Sequence, residues 1–393
     1  MGVRRAIGER QRGVCHIPRQ LATGARRRHV RLRPPLGRTV MRCHLLVPDL
    51  LWRGVSAPEV YRDLKLPALE LTLARGALQF EPPLSVEAWL GRAFGADSTA
   101  DLPVAALTMA LDGGQPGAEY WLRGDPVHLR VNRGELVLAD SGAFTISQQE
   151  ATGLTDTLNR HLQAEGIAFH ALHPARWYVR AVPPPQLRTH GLAQVTGKSV
   201  ERFLPQGSDA ARWHRILNEC QMLLHSHPVN EQREARGELS VNSVWFWGGG
   251  RASQPIGPAP APNVWADDAL ARALALASWV NSHALPQTFA SWQANADPGT
   301  DHLIVIDTWH GAAQYADMLG WREGLLALER DWFSPALAAL AAGTLEDLRL
   351  TGLDAHHTLE LTLRRSALRK FWRRPRALSG YDRPPPGTAA PAV

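Results

Sequence analysis

Cysteine is scarce. Three residues, Cys15, Cys43 and Cys220, serve a chain of 393. They are odd in number and carry no C-x-x-C spacing, so they supply neither a disulfide scaffold nor a zinc framework. A reducing, cytoplasmic setting is the expectation that follows. Long apolar runs are also missing: no stretch approaches the ~20 residues a membrane span requires, and no membrane partner is expected. There is no internal repeat. Charged residues are only 20% of the chain, while apolar residues make up 45% and tryptophan contributes 14 positions. That balance excludes a disordered chain and allows a sizeable core.

Acids are nearly absent from one end. Residues 1–40 hold 11 Arg and one acid, Glu9, leaving 32 bases against 36 acids in the remainder. The basic balance therefore belongs to the leader, and the rest is mildly acidic. An Arg-rich leader without an apolar core is no secretory signal. It is expected to be a disordered arm or a non-native extension upstream of a start at Met41.

From Met41 onward, strand and helix signals alternate. CHLLVPDLL (43–51) is an apolar run of the kind that forms a buried strand, with Asp49 near its end. Residues 58–65 and the stretch holding Leu69 and Leu73 suggest two short helices separated by Pro67. Residues 75–120 are mixed, with turns at Asp112-Gly113-Gly114 and Pro116-Gly117. Val127, Leu129 and Val131 alternate with polar residues and turn through 132–134 into Glu135–Ala139, which is a hairpin pattern. Ser147 with Glu150 forms a capping box, followed by a helix with Ala151, Leu154, Leu158 and Leu162 on one face and Gly166 as its stop. A strand is expected at 176–182.

A helix then starts at Ser208 or Asp209, and Pro228 cannot continue it. Val241–Trp247 is a strand with Trp245 and Trp247 on one face and Phe246 on the other, buried on both sides and so expected in the central sheet. A helix at about 266–281, the strand LIVID (303–307), a helical stretch 323–342 with a break at Ser334-Pro335, and two strands about a GLDAHH turn complete the pattern. The fold class is α/β. The domains expected are a core of 41–120 with 196–365, an inserted β-β-α-β unit at 121–195, and a basic aromatic segment with a Pro/Ala tail at 366–393.

Several motifs offer chemistry. VTGKS (195–199) lacks the upstream glycine of a phosphate loop, where Leu192 stands, and is rejected as one. Asp354, His356 and His357 have metal-ligand chemistry but sit in a turn that explains them. Asp307 and His310 follow a strand end, where open α/β sheets bind ligands; a capping aspartate and a surface histidine are the simpler alternative. Asp49 on an adjacent strand would complete the start of a metal site. In HPVNEQREARGELSVNSVWFWGGG (227–250), His227, Asn230, Arg233, Arg236 and Asn242 are candidate donors to an anion, and Gly248, Gly249 and Gly250 permit close approach. A plain turn and a solvated charged run compete with that reading.

This last stretch resembles the HPVN…R…G…AN-S-[IV]-W-x-WG-x-G segment of archaeal-type cofactor-independent phosphoglycerate mutases, of the alkaline phosphatase superfamily. TGKSVERFLPQG (196–207) is similar to the TGKPV…YLP segment of the same family. DPVHLRVNRGELVLAD (125–140) and FWRRPRAL (371–378) resemble its RpfE-type regulatory offshoot. The resemblance implies an alkaline-phosphatase-like three-layer core sheet with an inserted small α+β domain. It also implies a metal-bound serine nucleophile and two divalent metals (Mn, Zn or Mg), and here the match thins. Asp49 stands for the first-strand ligand. Leu102, Pro103 and Ala106 fall on the nucleophile, acid and histidine positions of G-S-[DE]-V-A-H. Trp309 and Ala313 replace ligands of D-E-A-G-H. Without the nucleophile and most ligands neither phosphoryl attack nor a two-metal clamp is available. The expectation is a catalytically degenerate, regulatory or ligand-binding protein that takes a phosphorylated small molecule. The alternatives are an active phosphomutase or phosphatase using Ser98 or Thr99, and a nucleic-acid-associated regulator acting through its basic termini, although nucleic acid is the less expected partner.

Overall fold

Strand β1 (Met41–Pro48) shows how the core is organised. Leu45 and Val47 point into one apolar cluster and Leu46 into another, all three wholly buried. A strand buried on both faces needs a helical layer on each side, and the computed structural model has them. It describes residues 41–382 apart from 53, 55–57, 97–101, 133 and 253–255. The Arg-rich leader, Ser98, Thr99 and the Pro/Ala tail beyond Asp382 lie outside the described residues.

The first sheet has seven strands. Besides β1 these are β2 (Ala77–Glu81), β8 (Asn263–Trp265), β9 (Asn281–His283), β10 (Asp301–Val305), β11 (Leu345–Leu353) and β12 (Thr358–Arg364). Their order is β2-β12-β11-β1-β10-β8-β9, with β11 through β9 parallel and β12 and β2 added antiparallel. Helices Pro67–Arg75, Met318–Leu328 and Ser334–Ala342 cover one face, and Val86–Ala93, Val104–Leu111 and Ala269–Ala277 cover the other. The expected break at Ser334-Pro335 is a widened turn over Glu329–Phe333, which lets Pro335 open the next helix where its missing N–H is harmless. The buried Glu329 carboxylate there accepts Ala68 N (2.7 Å) and Leu69 N (3.0 Å), capping Pro67–Arg75.

The second sheet comprises β3 (Trp121–Asn132), β4 (Glu135–Ala139), β5 (Ile167–His173), β6 (Arg176–Ala181) and β7 (Ser243–Gly250). The capping box forms as expected: Ser147 and Glu150 bond reciprocally and start Gln148–Leu162. Ala151, Leu154, Leu158 and Leu162 of that helix are buried with Trp213 and Cys220 of Ala210–His225.

One expectation is corrected. The WFW strand is not in the central sheet; β7 pairs antiparallel with β3, and its residues 243–250 therefore extend the unit expected to end at 195. The inference of two buried faces holds, since Phe246 packs on Trp213 at 4.9 Å while Trp245 and Trp247 face the first sheet's helices. Two-sided burial locates a strand inside some sheet and does not say which.

Candidate active-site cleft

The carboxyl ends of β1, β8 and β10 open into a cleft of about 370 Å³, roofed by β3, β6 and β7. Its floor is acidic. Asp307 follows β10, Glu87 comes from Val86–Ala93, and Asp268 caps Ala269–Ala277 through a 2.7 Å bond from Ala271 N. Burial raises the Asp307 carboxyl above its ordinary range, while His310 opposes the shift.

Asp49 is buried at the end of β1 with φ of 56°, a left-handed conformation unusual outside glycine. Its neighbours enforce it: Asp49 N donates to Leu353 O (2.7 Å), and its carbonyl accepts Trp321 Nε1 (2.8 Å). Its Oδ2 lies 2.5 Å from His310 Nδ1. The other ring nitrogen of His310 lies 2.8 Å from Gln314 Nε2, which also donates to Ala193 O at 3.0 Å. With the amide donating, Nε2 accepts and the ring proton sits on Nδ1, toward Asp49. Asp49 and His310 meet at the ends of β1 and β10, and Asp307 and His310 line the cleft, while Asp49 is wholly buried and outside its lining.

The roof is where sequence reasoning looked least. Arg123 and Asp125 on β3 form a buried ion pair, with Nε and Nη2 on the same carboxylate oxygen at 2.9 and 2.6 Å. Asp125 also accepts Trp177 N (3.2 Å) and Trp247 Nε1 (2.8 Å). The Arg123 guanidinium lies between Tyr178 and Trp247, 5.4 and 5.5 Å from their ring centroids, and reaches Thr108 Oγ1 at 3.3 Å. Arg176 makes a two-pronged bond to Asp112 (2.8 and 2.5 Å) beside His173. The His173 imidazole is held below its ordinary value by burial and by Arg176. The available signal was R-G-D in a strand, where residues two apart share a face.

The donors expected from 227–242 are committed to the frame instead. His227 caps Pro228–Ala235 through Nδ1 and meets Thr157 through Nε2. Asn230 bridges Leu224 O and Val241 on both its N–H and its C=O. Arg233 is buried on Glu150, Thr145 O and Leu239 O. Arg236 pairs with Glu150 and Glu238. Asn242 supplies Leu129 with both partners a strand would give, at 2.7 and 2.9 Å. Asn230, Arg233 and Asn242 satisfy groups that burial would otherwise orphan, while the Arg236 pairs are exposed. Gly248, at φ 61°, lies against Val104, and a Cβ on Gly249 would come within 2.2 Å of the Tyr120 hydroxyl. The backbone thus meets side chains of its own chain at both positions, and Gly250 pairs with Trp121.

Two divalent metals do not fit the donors on the floor. The Asp49 carboxylate and the His310 imidazole bond to each other, and His310 is taken on its far side by Gln314. Among the described residues, no three His, Cys, Asp or Glu side chains are grouped to hold an ion. Asp354 closes its turn by accepting His356 N (2.6 Å) and His357 N (2.9 Å). Pro103 and Ala106 are buried at the start of the 104–111 helix, and Leu102 is half-buried before it.

The family similarity lies in the roof. Residues 115–230 match the family model of 2,3-bisphosphoglycerate-independent phosphoglycerate mutase. This segment is phosphoglycerate-mutase-like. The chain is 30% identical over 193 residues to a probable mutase of this kind from Geobacter sulfurreducens, covering 46% of each protein. It is 30% identical over 125 residues to the mutase of Methanosarcina mazei, covering 30% of each. The chain thus spans less than half the length of either relative. A solved structure from Pyrococcus horikoshii superposes with a TM-score of 0.51 at 14% identity, covering 82% of this chain and 87% of that one. The α/β architecture expected from the sequence stands. The mutase-like match lies in the lobe that carries Arg123, Asp125 and Arg176, whereas Asp49, Asp307 and His310 lie outside it.

Asp268 offers a test of the floor. Burial, with Asp307 and Glu87 adding to it, pushes its carboxyl up to about 6 from 3.8. A raised pKa gives stability that is complete below the unfolded value and lost as pH rises through the folded one. Stability from this group should fall between about pH 4 and 6. Asp268→Asn keeps a capping oxygen and removes the loss. Thermal melts should put the variant above the wild type at neutral pH and level with it below about pH 4; parallel curves over that window reject the assignment.

Proposed function

We propose that this chain is a catalytically degenerate, phosphoglycerate-mutase-like protein that binds a small phosphorylated acid in the cleft and serves a regulatory role of the RpfE type. One observation carries the reading: Asp49 and His310, the residues best placed to hold a metal, bond to each other at 2.5 Å, with Gln314 behind the imidazole. Leu102, at the position matched to the nucleophile, offers no oxygen for attack. A cleft of about 370 Å³ has the dimensions of a small-molecule site. Arg123, Arg176 and His173 line its roof, so an anion would bind there by inserting between ion pairs already formed. A reducing cytoplasm suits the buried free thiols Cys43 and Cys220. No described helix is long and apolar enough to cross a membrane.

Incubation with 3-phosphoglycerate and Mn²⁺ or Zn²⁺ should give no 2-phosphoglycerate, while phosphoglycerates raise the melting temperature. Interconversion that disappears in Asp49→Ala overturns the degenerate reading. A melting temperature indifferent to phosphoglycerates, nucleotides and inorganic phosphate overturns the ligand.

A further inference from the structure

The sharpest segregation of charge in the described residues lies far from the cleft in sequence. Residues 364–376, RRSALRKFWRRPR, hold seven bases and no acid. The rest of the chain beyond residue 40 then carries 25 bases and 36 acids, so this segment is a cationic island on an acidic body. The structure holds the segment firmly at both ends. Ala367 on one side and Leu378 and Tyr381 on the other are buried in the cluster beneath the first sheet. Arg75 Nη1 bonds Leu368 O at 2.5 Å, Arg373 Nη1 bonds Gly76 O at 3.1 Å, and the Arg376 guanidinium lies 4.2 Å from the Tyr381 ring centroid.

Between these anchors every residue from Phe371 to Ala377 is exposed. Phe371 is 78% exposed and Trp372 66%. Two adjacent aromatic rings in water have no folding rationale, because the burial that stabilises such side chains is forgone. Arg364 faces Asp347 of β11, and Arg376 stacks on Tyr381. No salt bridge joins Arg365, Arg369, Lys370, Arg373 or Arg374 to an acid among the described residues, so the charge of these five is available to a partner.

We infer that residues 364–376 are a contact surface for an anionic lipid bilayer, with Phe371 and Trp372 entering the headgroup boundary and the flanking bases meeting lipid phosphates. Aromatics with flanking cations are the composition of interfacial anchors. Lys370 and Arg374 lie beside the rings, where attraction to an anionic leaflet is strongest because it decays within a screening length. Single-stranded nucleic acid would use the same residue types, but stacking needs open ring faces at successive base positions. Here the two rings are neighbours in sequence and meet edge to face, 5.3 Å apart at 81°, on an outward loop. This surface is peripheral and requires no spanning helix.

The test uses the full chain with vesicles of phosphatidylcholine alone or mixed in equal parts with phosphatidylglycerol. Cosedimentation is expected with the mixed vesicles and not with phosphatidylcholine. Lys370→Gln with Arg374→Gln should weaken it on the order of tenfold at low salt. The arginines of residues 1–40 also attract anionic vesicles, so the deciding measurement is at about 1 M salt, where the screening length is about 3 Å. There the wild type should remain partly bound and Phe371→Ser with Trp372→Ser should not. Brominated acyl chains should quench wild-type fluorescence and leave Trp372→Phe unquenched relative to it. Both rings are exposed, so melting curves of all variants should match the wild type. Equal sedimentation of the double serine variant at high salt overturns the inference. So does a gel shift with single-stranded oligonucleotide that the same variant abolishes while vesicle binding is unchanged.

Discussion

Asp125→Ala is expected to destabilise the protein by about 3–5 kcal/mol, as removing one partner of a buried ion pair generally does. Four bonds end on this carboxylate: two from Arg123, one from Trp177 N and one from Trp247 Nε1. Alanine leaves a guanidinium and two N–H groups in a space only a few per cent exposed. Urea unfolding measures the difference. The double variant Arg123→Met with Asp125→Leu removes the unpaired guanidinium and should recover part of the loss, the remainder being the Trp177 and Trp247 N–H groups still left without an acceptor. A single variant with a loss under about 1 kcal/mol would show that Arg123 is solvated from the cleft and that the roof is softer than its burial implies.

Gly197→Ala should be the second most damaging change, by roughly 2–5 kcal/mol. Gly197 has φ of 76°, and a Cβ there would come within 2.1 Å of Gln314 O. The left-handed backbone alone costs an L-residue about 1–2 kcal/mol, and relieving overpacking about 1–3 more. Retreat of Gln314 would also draw away the amide that contacts His310 Nε2. Tryptophan fluorescence melts should register the stability loss, and the His310 ring resonances should shift in NMR. Unchanged resonances with full stability would mean that the 310–314 helix accommodates a methyl group freely.

Legibility followed the range over which the physics acts. The capping box at Ser147, the hairpin at 127–139 and LIVID were readable because their signals are local or periodic. VTGKS lacks phosphate-loop spacing, and its glycine has a purpose no spacing reveals: its contact is with Gln314, more than a hundred positions away. The donors at His227, Asn230, Arg233, Arg236 and Asn242 look alike in sequence whether they face a ligand or a buried carbonyl, and only the fold distinguishes the two. Arg123, Asp125 and Arg176 were missed for the complementary reason, since nothing near them in sequence marks the strand ends they overhang. Asp49 and His310 are legible as neighbours of strand ends because the buried apolar runs before them mark β1 and β10.

The chain leaves the first sheet after the 104–111 helix and returns to it at β8, so residues 121–250 hang from the rest by two covalent crossings. Between them the span is closed by an apolar seam in which Trp245 and Trp247 pack with Val104 and Leu274, and by the Arg123–Thr108 and Arg176–Asp112 bonds. Two further bridges are the Tyr315 hydroxyl to Asp140 at 2.7 Å and the Gln314 amide to Ala193 at 3.0 Å. The width of the cleft is therefore a mechanical property with its own set screws. Substitution of Tyr315, which stands outside the cleft lining, would alter its width without changing a lining side chain.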